Sequence, residues 1–349
     1  MTHQPGLPPW QTTGIGSDPH SDPGEAVRLI LARATVPFWP QLVNLGPEED
    51  MVLQCAHGLP CLEVDLTARR VAAHGERRED ELLRFYERAL AGDLDYFALP
   101  SARGLDALLA AVAKLPPGQA PRFLKGQVVG PVTFGTTAKD EAGRDIIHDR
   151  ELMEACSQGL GLKAAWQARR LRQAGASPII FFDEPSLSGF GSAFMAVEQG
   201  TVLRLLGLAF AAVRELEPGA LLGVHCCGNS DWAMLLESGA DIISFDSWSY
   251  LDAFCLYPKQ IAAHLERGGY LAWGAVPTTE PVPDDFGLLL ARLTGGLRAL
   301  EAAGVDAELL RRHSLLTPSC GMGLLDLAGA ARVLEALAWL REALLAAGR

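Results

Sequence analysis

The sequence predicts an α/β fold, a single (β/α)8 TIM barrel over residues 12–349 with an insertion near 36–77. Eight short apolar stretches, most of them separated by helix-like ones, are the first observation behind it. The second is the length of 349 residues, which one barrel of this class accommodates. The third is where the unusual polar residues fall. Ser17, Asp183, Glu184, His225, Cys227, Asp246 and Cys320 all stand at or just beyond the carboxyl ends of those stretches. That is the end of a barrel where active sites are built. A doubly wound sheet would want a Gly-x-Gly-x-x-Gly turn after an early strand, and the sequence has none there.

Residues 1–11 are rich in Pro and Gly and predict a loose N-terminal segment. The first strand, 12–16, runs into Ile15-Gly-Ser17, and a helix over 24–34 follows. Ser21-Asp-Pro-Gly-Glu25 opens that helix with a capping residue ahead of Pro and an acid in the first turn. Residues 36–77 fit neither period and read as an insertion with a small strand pair, containing Phe38-Trp-Pro-Gln-Leu-Val43 and Cys61-Leu-Glu-Val-Asp65. Further strands are expected at 95–99, 122–129, 178–183, 220–226, 241–246, 270–276 and 314–318. Helices are expected at 78–91, 103–114, 151–174, 196–216, 231–238, 283–303 and 326–346. The last starts at Asp326, ahead of a run rich in Ala and Leu. There is no internal repeat.

A hydrophobic content of 49% with 21% charged residues describes a globular chain with ample core. A formal charge of −12 argues against a nucleic-acid surface, which needs clustered Lys and Arg. Seven cysteines without regular spacing do not form a disulfide framework, and a reducing cytoplasmic setting suits them better. The start is polar and has no signal-peptide pattern, and the longest apolar stretches are too short to span a bilayer, so no membrane role is expected.

His225 and Cys227 stand two apart at the end of a buried strand, so imidazole and thiol face one space while Cys226 faces away. Cys320, arriving from the last strand end, would complete three corners of a tetrahedral site with one left open, the ligand count of a catalytic zinc. Asp246, one strand further on, has three readings: a fourth ligand, a partner that holds His225, or a cap for the next helix. The adjacent carboxylates Asp183 and Glu184 need a cation or hydrogen-bond donors, either a substrate amino group or a helix start and a salt bridge at the lip. Ser17 offers a hydroxyl and backbone amides to a carboxylate. His20 is either a proton carrier or a turn histidine. Cys55, Cys61, Cys156 and Cys255 have no ligand spacing and read as packing.

Ile15-Gly-Ser17, Gly130-Pro-Val-Thr133, Asp183-Glu-Pro185, His225-x-Cys227 and Pro318-Ser-Cys-Gly321 occur in this order. In that order they resemble the catalytic barrel of cobalamin-independent methionine synthases. The chain is most similar to the short, single-barrel members of that family, over nearly all of residues 12–346. The resemblance implies zinc on His225, Cys227 and Cys320, the amino group of homocysteine at Asp183, and its carboxylate near Ser17. Where the family places a glutamate ligand, this chain has Asp246. The long enzymes use a second barrel to form a folate site. The single-barrel likeness therefore implies methylcobalamin or a methylated corrinoid protein as methyl donor. Three rival readings are a uroporphyrinogen-type decarboxylase, a methyltransferase acting on another thiol such as coenzyme M, and a non-catalytic zinc-binding partner. The first would want arginines at strand ends that carry Asp, Glu, Cys and His instead. An amino-acid thiol suits Asp183 better than a sulfonate does, and a closed structural zinc would need four protein ligands.

Overall fold

Runs of Ile, Val, Leu and Phe too short for a helix, such as Ile179-Ile-Phe-Phe182, form strands because both of their faces are covered. The computed structural model describes residues 6–192 and 195–348. Its strands are β1 (Gln11–Thr12), β2 (Ser17–Asp18), β3 (Gln41–Leu42), β4 (Leu62–Asp65), β5 (Arg70–Ala73) and β6 (Phe123–Val129). They continue with β7 (Ser177–Asp183), β8 (Leu221–Cys226), β9 (Ile242–Phe245), β10 (Tyr270–Val276) and β11 (Ser314–Pro318). Seven of them form one parallel sheet in the order β1-β11-β10-β9-β8-β7-β6. Helices at or near the expected positions, from Pro23–Arg33 to Leu327–Ala346, connect these strands.

The sheet is curled, and residues 36–42 lie between its two edges. The Val36 amide donates to Thr12 O at 3.0 Å and the Gln41 amide to Gly16 O at 2.9 Å. On the other side Phe38 pairs in parallel with Lys125, and the Trp39 amide donates to Lys125 O at 3.1 Å. Pro37 and Pro40 lack amide donors, which keeps this segment from forming a continuous ladder. Residues 36–42, expected to open an insertion, instead lie along the sheet edge, and an antiparallel hairpin of β4 and β5 follows them. The strand expected at 95–99 is a turn instead. The amides of Tyr96 and Phe97 bond back three residues, to Asp93 O and Leu94 O, and the Phe97 ring packs edge-on against Phe85. Nor is the N-terminal segment loose where it is described. Leu7 and Trp10 are buried, and the Trp10 amide donates to Ser314 O at 2.8 Å. Residues 1–5 lie outside the described residues.

Alternation along the strands sorts side chains into two cores. Ile180, Phe182, Val224 and Phe245 pack outward under the helices in the larger one. Phe123, Ile179, Phe181, Ile242, Ala272 and Leu315 form a smaller inner cluster. Gly223 belongs to the inner face because a side chain there would meet the Phe181 ring at 2.4 Å. Continuing each inward series by twos leads from apolar to polar: Phe123 to Lys125 and Gln127, Phe181 to Asp183, Gly223 to His225, Ile242 to Ser244, Leu315 to Thr317. The inner space therefore becomes polar towards the carboxyl ends of the strands.

Candidate functional site

At the polar end, one ligand atom each from His225, Cys227 and Cys320 lies within 4.8 Å of the others. Strand register sets the imidazole: His225 pairs with Ser244 across β8 and β9, and its Nδ1 is 3.0 Å from Ser244 Oγ. Its Nε2 is buried and, among the described residues, forms no hydrogen bond of normal length, while the His225 side chain lies close enough to Cys320 to pull that thiol's pKa down. Cys227 follows the end of β8, and Cys320 lies in the loop after β11. That loop is held on both sides. The Ser319 amide donates to Val276 O at 2.8 Å and the Thr278 amide to Ser319 Oγ at 3.1 Å. The Met322 amide donates to Ser17 O at 2.9 Å and the Gly323 amide to Ser17 Oγ at 3.2 Å.

Ligands bound to one tetrahedral zinc at about 2.0–2.3 Å stand roughly 3.3–3.8 Å apart, so the three fit a single ion after a small closure. The donor set supports this. A hydrogen bond from Cys320 holds Cys227 below the usual thiol value, while the same bond and burial push Cys320 up. Cys226 is fully buried in the outer core and takes no part.

Asp246 is not in this group. Its Oδ1 accepts the Ser249 amide at 2.8 Å and caps the helix Ser247–Phe254. Of its three readings the structure shows the cap, and Ser244 is the residue that holds His225. Burial pushes the Asp246 carboxyl up, against the opposing pull of the Ser249 contacts and of His225.

Asp183 and Glu184 part company. Asp183 lies beside His225 in register, and its buried Oδ1 has no partner. Burial raises its pKa, opposed by the charges of Lys125 and His225. Glu184 has its carboxylate oxygens on the amides of Val132 at 2.9 Å and Thr133 at 2.6 Å, at the start of the helix Pro131–Thr137. Burial pushes it up to about 7 against those bonds. It fastens the Gly130-Pro-Val-Thr133 turn.

His20 Nδ1 is 2.6 Å from Asp18 Oδ1, which also accepts the His20 amide at 2.9 Å. Asp18 is fully buried, and its Oδ2 has no partner. Sequence reasoning missed Asp18 and Lys125. Lys125 could have been found by continuing the inward alternation one step past Phe123, whereas nothing in the strand pattern marks Asp18.

No family model and no curated protein matches the sequence. Among solved structures, a B12-independent methionine synthase from Shewanella sp. W3-18-1, in complex with selenomethionine, is 21% identical. That match covers 68% of this chain and 67% of the other, with a TM-score of 0.43. A Cellulomonas fimi endo-β-1,4-mannanase double mutant is 15% identical over 95% of this chain and 70% of the other, with a TM-score of 0.44. An oxaloacetate acetylhydrolase in complex with the product oxalate is 10% identical over 97% and 91%, with a TM-score of 0.35. Likeness at this level carries no assignment of activity. No helix of the described residues is long and apolar enough to cross a membrane.

Proposed function

We propose that this chain is a TIM-barrel enzyme that transfers a methyl group to the thiol of homocysteine, with zinc as cofactor and a methylcorrinoid as donor. The observation that carries the reading is the convergence of His225, Cys227 and Cys320, with His225 Nε2 buried and without a hydrogen bond of normal length among the described residues. Zinc bound there would keep a substrate thiol in its nucleophilic thiolate form at neutral pH.

The chain's own residues do the rest. Asp183 Oδ1 receives the substrate ammonium, since a buried carboxylate oxygen without a donor is costly until one arrives. Ser17, which abuts the Cys320 loop, helps hold the carboxylate. His20 takes the thiol proton, and Asp18 fixes its ring through Nδ1 so that Nε2 is the accepting atom. In the transfer the substrate sulfur forms a bond to the methyl carbon. The donor–carbon bond breaks, and the donor leaves with the electron pair. A cobalt(I) corrin needs no proton to leave.

The test is methionine formation from homocysteine with methylcobalamin, a methylated corrinoid protein or methyltetrahydrofolate at matched concentrations. Turnover is expected with the first, faster with the second, and little or none with the folate. Turnover with the folate alone would overturn the donor. Absence of thiol methylation with every donor would overturn the reaction.

A further inference from the structure

Lys125 is fully buried in the inner space of the sheet. Its Nζ donates to Ile15 O at 2.5 Å, lies 3.3 Å from Gln127 Oε1, and stands 4.5 Å above the Phe181 ring. No carboxylate oxygen bonds it. A buried cation with this partner set is expensive, so what it connects matters.

It connects the two sides that the sheet ladder does not. Between β1 and β6 the backbone makes only scattered bonds through residues 36–42. Side chains brace that gap. Lys125 reaches from β6 to Ile15, and Gln127 Nε2 donates to Trp39 O at 3.1 Å. Trp39 Nε1 donates to Gln167 Oε1 at 2.8 Å, and Gln167 Nε2 donates to Gln127 O at 2.9 Å. The brace ends two residues before Ser17, whose carbonyl and hydroxyl hold Met322 and Gly323 in the loop of Cys320. His225 and Cys227 stand on the far side, in and after β8.

We propose that Lys125 is a positioning residue that sets the Cys320 side of the metal group against the His225–Cys227 side. This rests on the metal site proposed above, but not on the methyl-transfer chemistry.

The test compares zinc-loaded wild type with Lys125→Met and Lys163→Met. Lys163 is an equally buried lysine whose Nζ bonds His57 O at 2.6 Å and no residue of the brace, so it controls for loss of a buried cation one helical turn from Gln167. Zinc release to a chelator and amide hydrogen exchange over residues 319–325 are measured on each. Lys125→Met is expected to release zinc about 10- to 100-fold faster, the usual range for outer-shell support, and to exchange faster in that loop. Lys163→Met should match the wild type in both. Equal behaviour of the two variants, or wild-type behaviour of Lys125→Met, overturns the assignment. If the wild type binds no zinc, the metal site fails on its own, and the exchange comparison alone still decides the role of Lys125. If Lys125→Met does not fold, Gln127→Leu, which cuts the same brace, is measured in its place with the same expectation and the same refutation.

Discussion

Replacing Asp183 by Asn keeps the shape of the side chain and one oxygen, and removes only the charge. Asp183 is 8% exposed, and its Oδ1 has no hydrogen-bond partner, so a substrate ammonium would meet a carboxylate shielded from water. Hydrogen bonds to charged groups contribute about 1.5–3 kcal/mol, which is roughly a 10- to 150-fold change in affinity. The loss should be specific to the amino group. Calorimetric titration of zinc-loaded protein with homocysteine and with 4-mercaptobutanoate, the same thiol without its amine, separates the effects. Asp183→Asn should weaken homocysteine by that range, leave the amine-free thiol within about twofold, and leave zinc content unchanged. The folded state should gain little from losing the buried charge, because Lys125 then remains without a countercharge. Equal losses for both thiols would refute the role of Asp183.

Other outcomes follow from the same contacts. Removing Glu184 as Ala leaves the amides of Val132 and Thr133 unsatisfied and should cost more than about 2 kcal/mol in urea unfolding. Burial pushes Glu184 up from 4.5 to about 7, so the folded state holds its proton more tightly than the unfolded chain does. That contribution is present below about pH 4.5 and is lost as pH rises to about 7, a difference of about 3 kcal/mol that Glu184→Gln should flatten. Gly321→Ala would place a methyl 2.0 Å from Ser17 Oγ, so either the loop shifts or the hydroxyl turns away and releases the Gly323 amide that it holds. It should speed zinc release while the melting temperature changes little. Wild-type release would mean that the loop does not position Cys320.

The cluster of His225, Cys227 and Cys320 was legible because two rules sufficed: alternation puts His225 and Cys227 on one side, and a curled parallel sheet brings its carboxyl strand ends together. Asp246 and Glu184 were not, since an aspartate that caps a helix and one that binds a metal look alike in sequence. Deciding between them needed the helices Ser247–Phe254 and Pro131–Thr137, neither of which the periodicity announced. Residues 36–42 were hidden by Pro37 and Pro40, which break the strand pattern without removing the segment from the sheet edge. The apolar run at 96–99 misled in the opposite direction, because Phe97 fills a helix-side core as part of a turn. Trp10 and Leu7 show that Pro and Gly in a segment do not make it loose when its large side chains have a core to enter.

Whether His225, Cys227 and Cys320 hold a zinc is decided by metal analysis of four proteins with X-ray absorption. The wild type should carry one zinc per chain with one nitrogen and two sulfur protein neighbours, and gain one sulfur when homocysteine is added. Cys226→Ser should keep the metal, since Cys226 is buried in the outer core. Cys227→Ser and Cys320→Ser should lose it with the fold intact by circular dichroism, because a core of this size does not depend on the ion. Loss of zinc from Cys226→Ser with retention in Cys227→Ser, or a wild type with no affinity for zinc, would mean that these three residues do not form a zinc site.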